Sequence, residues 1–210
     1  RLLLKNCYRQ YRQYSKVQTV LKNNLISLLD MTFPNANRLF VSPARADGSE
    51  KWVDFVAEFW HCECVSERSL KSFVNKYWRW CRKHGYNFSE EKAHAIYDEA
   101  SGHIGVMPKS ETTKLLVEQA VSQLSATSAA LAALKQEMQS LSSQLPEYPV
   151  VMGMFGVGPI LGPQLIAEIG DVRRFYSKKA LVAYAGIDAP PNDSGDVIGR
   201  HKSMSKVGAS

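Results

Sequence analysis

The chain has 210 residues, of which 45% are apolar and 22% charged, and its formal net charge is +6. This composition is that of a soluble globular protein, and the length allows one sizeable domain or two small ones. No run of about 18 apolar residues occurs, so we expect no membrane-spanning helix. The positive charge favours an acidic partner such as nucleic acid.

The cysteines have no spacing typical of a disulfide framework, and no signal peptide precedes them. We therefore expect a cytoplasmic protein with reduced thiols. The chain opens within a helical pattern and its last residues have the composition of a loop, so we expect a piece of a longer protein. The four cysteines are Cys7, Cys62, Cys64 and Cys81.

Residues 1–34 are predicted to form one long helix that ends before Phe33-Pro34, because proline disfavours helix in the preceding residue. Basic residues recur along it at steps of three and four, which places them on one face, with tyrosines beside them. Such a face suits a phosphate backbone with aromatic stacking, or it is a solvated face whose tyrosines pack in the core. The basic residues are Arg1, Lys5, Arg9, Arg12 and Lys16, and the tyrosines are Tyr8, Tyr11 and Tyr14.

Residues 35–108 form a region rich in aromatic residues with helical periodicity. One helix is predicted around Trp52–Trp60 and another from Ser66 to His84, where Gly85 ends it. Ser89 is the expected cap of the next helix. The simplest interpretation is a compact helical insertion.

Two short motifs in this insertion could hold zinc. His61-Cys62-Glu63-Cys64 and Cys81-Arg82-Lys83-His84 together offer four nitrogen and sulfur ligands. However, Cys-x-Cys is tighter than the usual zinc spacing, and both motifs lie within helical patterns. We therefore predict buried thiols, surface histidines and no metal site.

Residues 109–147 have the longest periodic pattern in the chain, with four heptads of apolar positions. They predict a coiled-coil helix, which pairs with a second copy in a homo-oligomer or folds back on another helix of the same chain. Pro146 and Pro149 end it. The heptad positions are Val117, Leu124, Leu131, Met138 and Leu145, with Ala120, Thr127, Leu134 and Leu141.

Residues 148–210 begin with a predicted helix, glycine hairpin and second helix over Val151–Gly170. Pro159 is the expected first residue of the second helix. Gly156 and Gly158 let the backbone approach a ligand, and N–H groups at a helix start attract phosphate oxygens. The alternative is a tight structural turn between two packed helices.

A short helix from Ser177 to Gly186 and an exposed loop from Ile187 to Ile198 are predicted next. Asp193-Ser194-Gly195 forms the centre of the loop, and basic residues follow it. The predicted fold is therefore mainly α: a helical insertion, a long coiled-coil helix and a small C-terminal domain that contains a helix-hairpin-helix.

Several motifs of residues 148–210 occur together in a specific order. They are Gly156-Val-Gly-Pro, Ala167-Glu-Ile-Gly-Asp171, Arg174-Phe175, Leu181-Val-Ala-Tyr-Ala-Gly186, Ser194-Gly195 and Lys206-x-Gly208. Their order resembles the C-terminal domain of the insertion-sequence 110/116/902 transposases. Residues 1–34 are similar to the end of that family's RuvC-like domain, and residues 109–147 to its coiled coil.

The resemblance implies a DNA recombinase that moves an insertion element in the bacterial cytoplasm, associated with the nucleoid and guided by an RNA. It implies a nucleophilic serine at Ser194 and four magnesium-binding carboxylates that lie before Arg1, with no cofactor assigned to residues of this chain. Arg200, His201 and Lys202 could act as clamps on the added charge. The nucleic-acid contacts expected from the pattern and the resemblance are Gly156, Gly158, Arg173, Arg174, Lys178, Arg200, Lys202, Lys206, Arg9 and Arg12.

Two positions depart from the family pattern. Gly162-Pro163 replaces small residues early in the second hairpin helix, where a kink is expected. Ala209 stands where asparagine is common. Two other functions stay open: a non-catalytic helix-hairpin-helix binding module, and a dimerising helical protein whose charge is incidental.

Overall fold

The computed structural model describes residues 1–186 and two short strands, Asp193–Ser194 and Val197–Ile198. The fold is mainly α, as predicted. No helix in this described part of the chain combines the length and apolarity needed to cross a bilayer. The helices are α1 (Leu2–Thr32), α2 (Lys51–Glu58), α3 (Glu63–Ser66), α4 (Leu70–His84), α5 (Glu90–Gly102), α6 (Glu111–Ser143), α7 (Tyr148–Met152), α8 (Leu161–Ile169) and α9 (Lys178–Tyr184), with 3-10 turns at Ala36–Arg38 and Val172–Arg174.

The chain divides into two compact units. The larger unit contains residues 10–136, and the smaller unit contains residues 1–9 and the described residues from 137 onward. The segments 1–34, 35–108, 109–147 and 148–210 predicted from sequence follow local patterns. The two units instead group residues by contact, so α1 and α6 each contribute to both.

An aromatic cluster forms the core of the larger unit. Phe55 is completely buried, and its ring stacks on Phe59 at 4.6 Å between centroids and meets Trp80 edge-on at 5.7 Å. Tyr77 stacks on Trp80 at 5.7 Å. Each such ring buries a large apolar area, so this cluster holds α2 and α4 together. The aromatic density of residues 35–108 therefore corresponds to a packed core.

The long helices α1 and α6 run antiparallel within the larger unit. The amide of Gln18 donates to the hydroxyl of Ser128 at 2.8 Å, and the Lys135 ammonium lies 5.9 Å from the ring centre of Tyr11. Residue numbers thus rise along one helix as they fall along the other. The heptad positions of α6 that are buried in this unit are Val117, Ala120, Leu124 and Leu131.

These contacts correspond to the alternative in which the heptad helix folds back on another helix of its own chain. Gly48 packs against the same helix, because a Cβ at this position would lie 2.3 Å from the carbonyl oxygen of Ser128. The predicted homo-oligomer stays a prediction.

Caps set the helix ends in the larger unit. The predicted helix from Ser66 is wrong at its start, because the Ser69 hydroxyl accepts the N–H of Ser72 and begins α4 at Leu70. Gly85 ends α4 with φ at +65°, and Ser89 caps α5 by accepting the N–H of Lys92, both as predicted. Side-chain capping therefore sets boundaries that apolar periodicity leaves open.

Candidate nucleic-acid interface

A glycine-containing turn joins α7 to α8 in the smaller unit. The N–H of Val157 donates to the carbonyl of Met154 at 3.1 Å, and Gly156 adopts φ at +79° inside this turn. Gly162 lets the two helices approach closely, since a Cβ there would lie 2.5 Å from the sulfur of Met152. The unusual Gly162 therefore has a packing role.

The start of α8 differs from the prediction. Its regular hydrogen bonding begins at Leu161, whereas Pro159 was predicted as the first helical residue. One isolated bond joins the N–H of Gly162 to the carbonyl of Gly158 at 2.9 Å. Pro163 has no N–H to donate to the carbonyl of Pro159, which interrupts the ladder in that first turn. Gly170 ends α8, as predicted.

The backbone of the turn is open to a ligand. Within the described residues, the N–H groups of Gly156 and Gly158 donate no hydrogen bond, and a Cβ at either position would have no atom within 4 Å. An anion can therefore reach both N–H groups, which precede the first residue of α8 by five and three positions. This geometry suits a phosphate oxygen and carries no base information.

Sequence reasoning missed the apolar tip of this turn. Phe155 is fully exposed, and Met154 and Ile160 on either side of the turn are more than half exposed. An exposed ring beside open backbone N–H groups can stack on a base while a phosphate binds below it. The available signal was an aromatic residue directly before the Gly-x-Gly turn, where burial could not be assumed.

Carboxylates form ion pairs with two arginines of the smaller unit. Arg1 pairs with Glu147 and donates to the carbonyl of Gly170 at 3.0 Å. Arg173 makes a two-point contact with Asp171 at 2.9 and 3.0 Å, which lowers the pKa of that carboxyl to about 2. Arg1 is therefore structural, and much of the Arg173 charge is compensated locally.

Aromatic rings hold Arg174 instead. Its guanidinium lies 4.7 Å from the centre of the Phe175 ring and 4.6 Å from that of Tyr184. This packing orients the group and leaves its charge available to an anion. Lys178 is exposed at the start of α9, which Ser177 caps as predicted.

The predicted contacts of the smaller unit fall at two places. Gly156 and Gly158 precede α8, while Arg173 and Arg174 follow it, and a nine-residue helix is about 13 Å long. One phosphate cannot bridge that distance, so the two groups would contact different phosphates of one strand. Arg9 is exposed in the smaller unit and Arg12 in the larger unit.

The proposed nucleophile lies on a short hairpin. Ser194 ends the strand Asp193–Ser194, whose partner is the antiparallel strand Val197–Ile198, with Ser194 opposite Val197. The strand residues were expected in a loop, and the structure instead pairs them as two short strands. Arg200, His201, Lys202 and Lys206 lie outside the described residues.

The alternative zinc ligands have other partners. His61 was expected at the surface but is completely buried: one ring nitrogen lies 2.9 Å from the Met107 carbonyl and the other accepts the N–H of Glu63 at 3.1 Å. Burial raises the pKa of the Cys64 and Cys81 thiols. No group of three or more His, Cys, Asp or Glu side chains within the described residues could hold a metal ion. The described residues therefore do not fit the magnesium ions that the resemblance implies.

Comparison with known families concerns the same C-terminal region. Residues 148–210 match the family model described as Transposase IS116/IS110/IS902 family. Residues 148–210 are therefore similar to a domain of this transposase family. The match includes the open turn, Arg174 and Ser194, and it confirms the resemblance over these residues. No curated protein and no solved structure matches the chain.

Proposed function

We propose that the chain is part of an insertion-sequence transposase that binds DNA and cleaves and rejoins its strands through Ser194. The observation that carries this proposal is the transposase-family match over residues 148–210, which includes both the open glycine turn and Ser194. The larger unit supplies none of these residues and would act as a scaffold for further nucleic-acid contacts.

The reaction proposed for Ser194 conserves the number of phosphate ester bonds. Its Oγ attacks a DNA phosphorus, the Oγ–P bond forms, and the P–O bond to one strand end breaks. The serine proton passes to a nearby base, and the departing oxygen takes up a proton. A second strand end then attacks the phosphoserine, which restores the diester and frees Ser194 without an external energy source.

The described residues would position the DNA for this step. The N–H groups of Gly156 and Gly158 would bind one phosphate, while Arg174 and Lys178 would bind another further along the strand. Basic residues after Ser194 would stabilise the charge that the phosphate gains during attack. They are Arg200, Lys202 and Lys206.

Three further features belong to the proposal by resemblance alone. The guide would be an RNA, the assembly a homo-oligomer, and magnesium would be held by carboxylates outside the described residues. When bound, that ion would stabilise charge on the reacting phosphate. No role for these features is assigned to a residue described here.

Recombination by the full-length protein with its element DNA and guide RNA tests the proposal. Ser194→Ala is expected to abolish strand exchange and leave DNA affinity within about twofold, because the hydroxyl reacts but does not bind. Ser203→Ala is the matched control and should recombine normally. Unchanged recombination by Ser194→Ala would refute the nucleophile.

A second candidate is a non-catalytic binding module, favoured by the N–H groups of Gly156 and Gly158, which donate no hydrogen bond to any residue that the structure describes. It predicts affinity that is independent of sequence and falls steeply with salt. It also predicts that Ser194→Ala has no effect in any assay. Strand exchange that depends on Ser194 would exclude this candidate.

A further inference from the structure

A basic groove lies on the outer face of α4, in the larger unit and far in sequence from the transposase-family match. The groove encloses about 720 Å³, and its lining includes the polar side chains of Ser69, Ser72 and Asn75. Its cationic lining residues are Arg68, Lys71, Lys76, Arg79 and Lys83. We call this surface the α4 groove.

Most of this charge is uncompensated. Helix α4 contains no acidic residue, and the carboxylate in the lining, Glu58, pairs with Lys76 at 3.4 Å. The side chains of Arg68, Lys71, Arg79 and Lys83 have no ion-pair partner within the described residues. The groove therefore attracts a polyanion.

Helix stability does not explain these positions. Lys71 lies in the first turn of α4, where the helix dipole disfavours a cation and no acidic residue offsets it. Arg79 and Lys83 are four residues apart on one face, a spacing at which like charges destabilise a helix. Only Lys83, in the last turn, is placed where the dipole favours it. A ligand that requires positive charge accounts for the others.

An exposed aromatic residue, Trp78, follows the lining residues Lys71 and Asn75 by seven and three positions on α4, a spacing that places it beside the groove. Trp78 is 41% exposed, and the Arg82 guanidinium lies 5.0 Å from its ring centre. A half-exposed indole beside cations is a platform on which an unpaired base can stack. This feature distinguishes a nucleic-acid surface from a site for a simple anion, which needs no ring.

We propose that the α4 groove binds the sugar–phosphate backbone of a nucleic acid and that Trp78 stacks on an unpaired base beside it. Lys71 and Lys83 are separated by about 18 Å along the helix, which is the length of about five phosphates on one strand. The serine and asparagine side chains in the lining are of the types that donate hydrogen bonds to phosphate oxygens. This proposal does not depend on the role of Ser194 or on the glycine turn.

The test measures binding of the chain to duplex DNA, the matching single strand and an RNA hairpin at several salt concentrations. Lys71→Gln/Arg79→Gln should weaken binding about tenfold and reduce the slope of log affinity against log salt by about 2, one per lost phosphate contact. Arg38→Gln/Lys135→Gln removes the same charge from exposed sites of the larger unit outside the groove and should have little effect. Equal behaviour of the two variants on all three probes would overturn the proposal.

Trp78→Ala should weaken binding to the single strand and the RNA loop about fivefold or more, while Trp78→Phe should retain most of the affinity. Probe preference identifies the source of the backbone: loss confined to the RNA hairpin assigns the groove to RNA, and loss on the DNA probes assigns it to DNA. Wild-type affinity of Trp78→Ala for both unpaired probes would overturn the stacking contact.

Phosphatidylserine vesicles provide a further arm, because an anionic membrane surface also attracts cations. Groove substitutions that abolish vesicle binding but leave every nucleic-acid affinity unchanged would overturn the proposal. Gly158→Ala separates the two sites of the chain. If the groove variant loses affinity and Gly158→Ala does not, the groove is supported and the proposed phosphate contact at the glycine turn fails.

Discussion

Gly156 and Gly158 differ in what their backbone conformations permit. Gly156 has φ at +79°, which L-residues rarely adopt, whereas the conformation of Gly158 is open to them. At both positions, no atom of the described part of the chain lies within 4 Å of an added Cβ. Gly156→Ala should therefore lower the free energy of unfolding by about 1 kcal/mol, and Gly158→Ala by less than about 0.5 kcal/mol.

Gly158→Ala should nevertheless weaken DNA binding about tenfold, because its methyl group obstructs a phosphate that binds the N–H groups. Chemical denaturation and fluorescence anisotropy measure the two effects separately. Wild-type affinity in a normally folded Gly158→Ala chain would show that no phosphate approaches this turn.

Asp171 provides a pH-dependent test of the contacts around Arg173. Hydrogen bonds from Arg173 lower the pKa of Asp171 from 3.8 to about 2, so the contact is complete above about pH 4 and is lost as pH falls through about 2. Carboxyl NMR titration should return a pKa near 2 for Asp171 and a higher pKa after Arg173→Gln, although the retained backbone N–H bond of residue 173 keeps the latter below 3.8. An unchanged titration in that variant would mean that the pair does not form.

Single residues also mark what sequence could not predict. His61 had ligand chemistry and a motif, yet it is buried with both nitrogens occupied, because the Met107 carbonyl comes from a segment remote in sequence. Phe155 is of a residue type that is usually buried, yet it is exposed. The sequence shows the type of each residue and its neighbours along the chain, whereas the burial of a side chain depends on which distant segment packs against it.

At the scale of elements, periodicity and caps predicted most helices. Helix α1 was expected to end before Phe33-Pro34, and the helix after Ser177 was expected from its cap. The start of α8 was wrong because Pro163 removes a donor from its first turn, an effect of hydrogen bonding that periodicity does not contain. The hairpin at Ser194 was missed because its strands have only two residues each.

A substitution at Gly48 directly tests the packing of α6 against the segment before α2. Gly48 has φ at +87°, and a Cβ there would lie 2.3 Å from the Ser128 carbonyl oxygen, so Gly48→Ala should lower the free energy of unfolding by about 2 kcal/mol or more. Gly102→Ala is the control, since nothing lies within 4 Å of a Cβ at the end of α5.

The control variant should be neutral or up to about 1 kcal/mol more stable, because alanine is the better helix former. Urea denaturation of both variants measures the difference. Equal stability of Gly48→Ala and wild type would contradict the close approach of Gly48 to α6.

At the scale of the whole molecule, the net charge follows from the sequence, whereas the positions of the unpaired cations do not. The net charge of +6 suggested nucleic acid, but the basic stripe sought on α1 includes Arg1, which is held by Glu147. Lys5, Arg9 and Lys16 of that stripe are exposed and have no ion-pair partner within the described residues. Helix α4 carries further uncompensated cations, although its sequence was interpreted only as an aromatic core helix. Pairing with distant carboxylates decides which cations are available, and sequence spacing does not contain that pairing.

The central proposal is that Ser194, within the residues that match the transposase family model, attacks DNA. Its most direct measurement is mass spectrometry of a covalent protein–DNA intermediate, trapped by denaturing the full-length protein during reaction with its element DNA and RNA and then digested to peptides. The account predicts a nucleotide remnant on Ser194, absent from the Ser194→Ala protein. A remnant on any other residue, or strand exchange with no covalent intermediate, would contradict it.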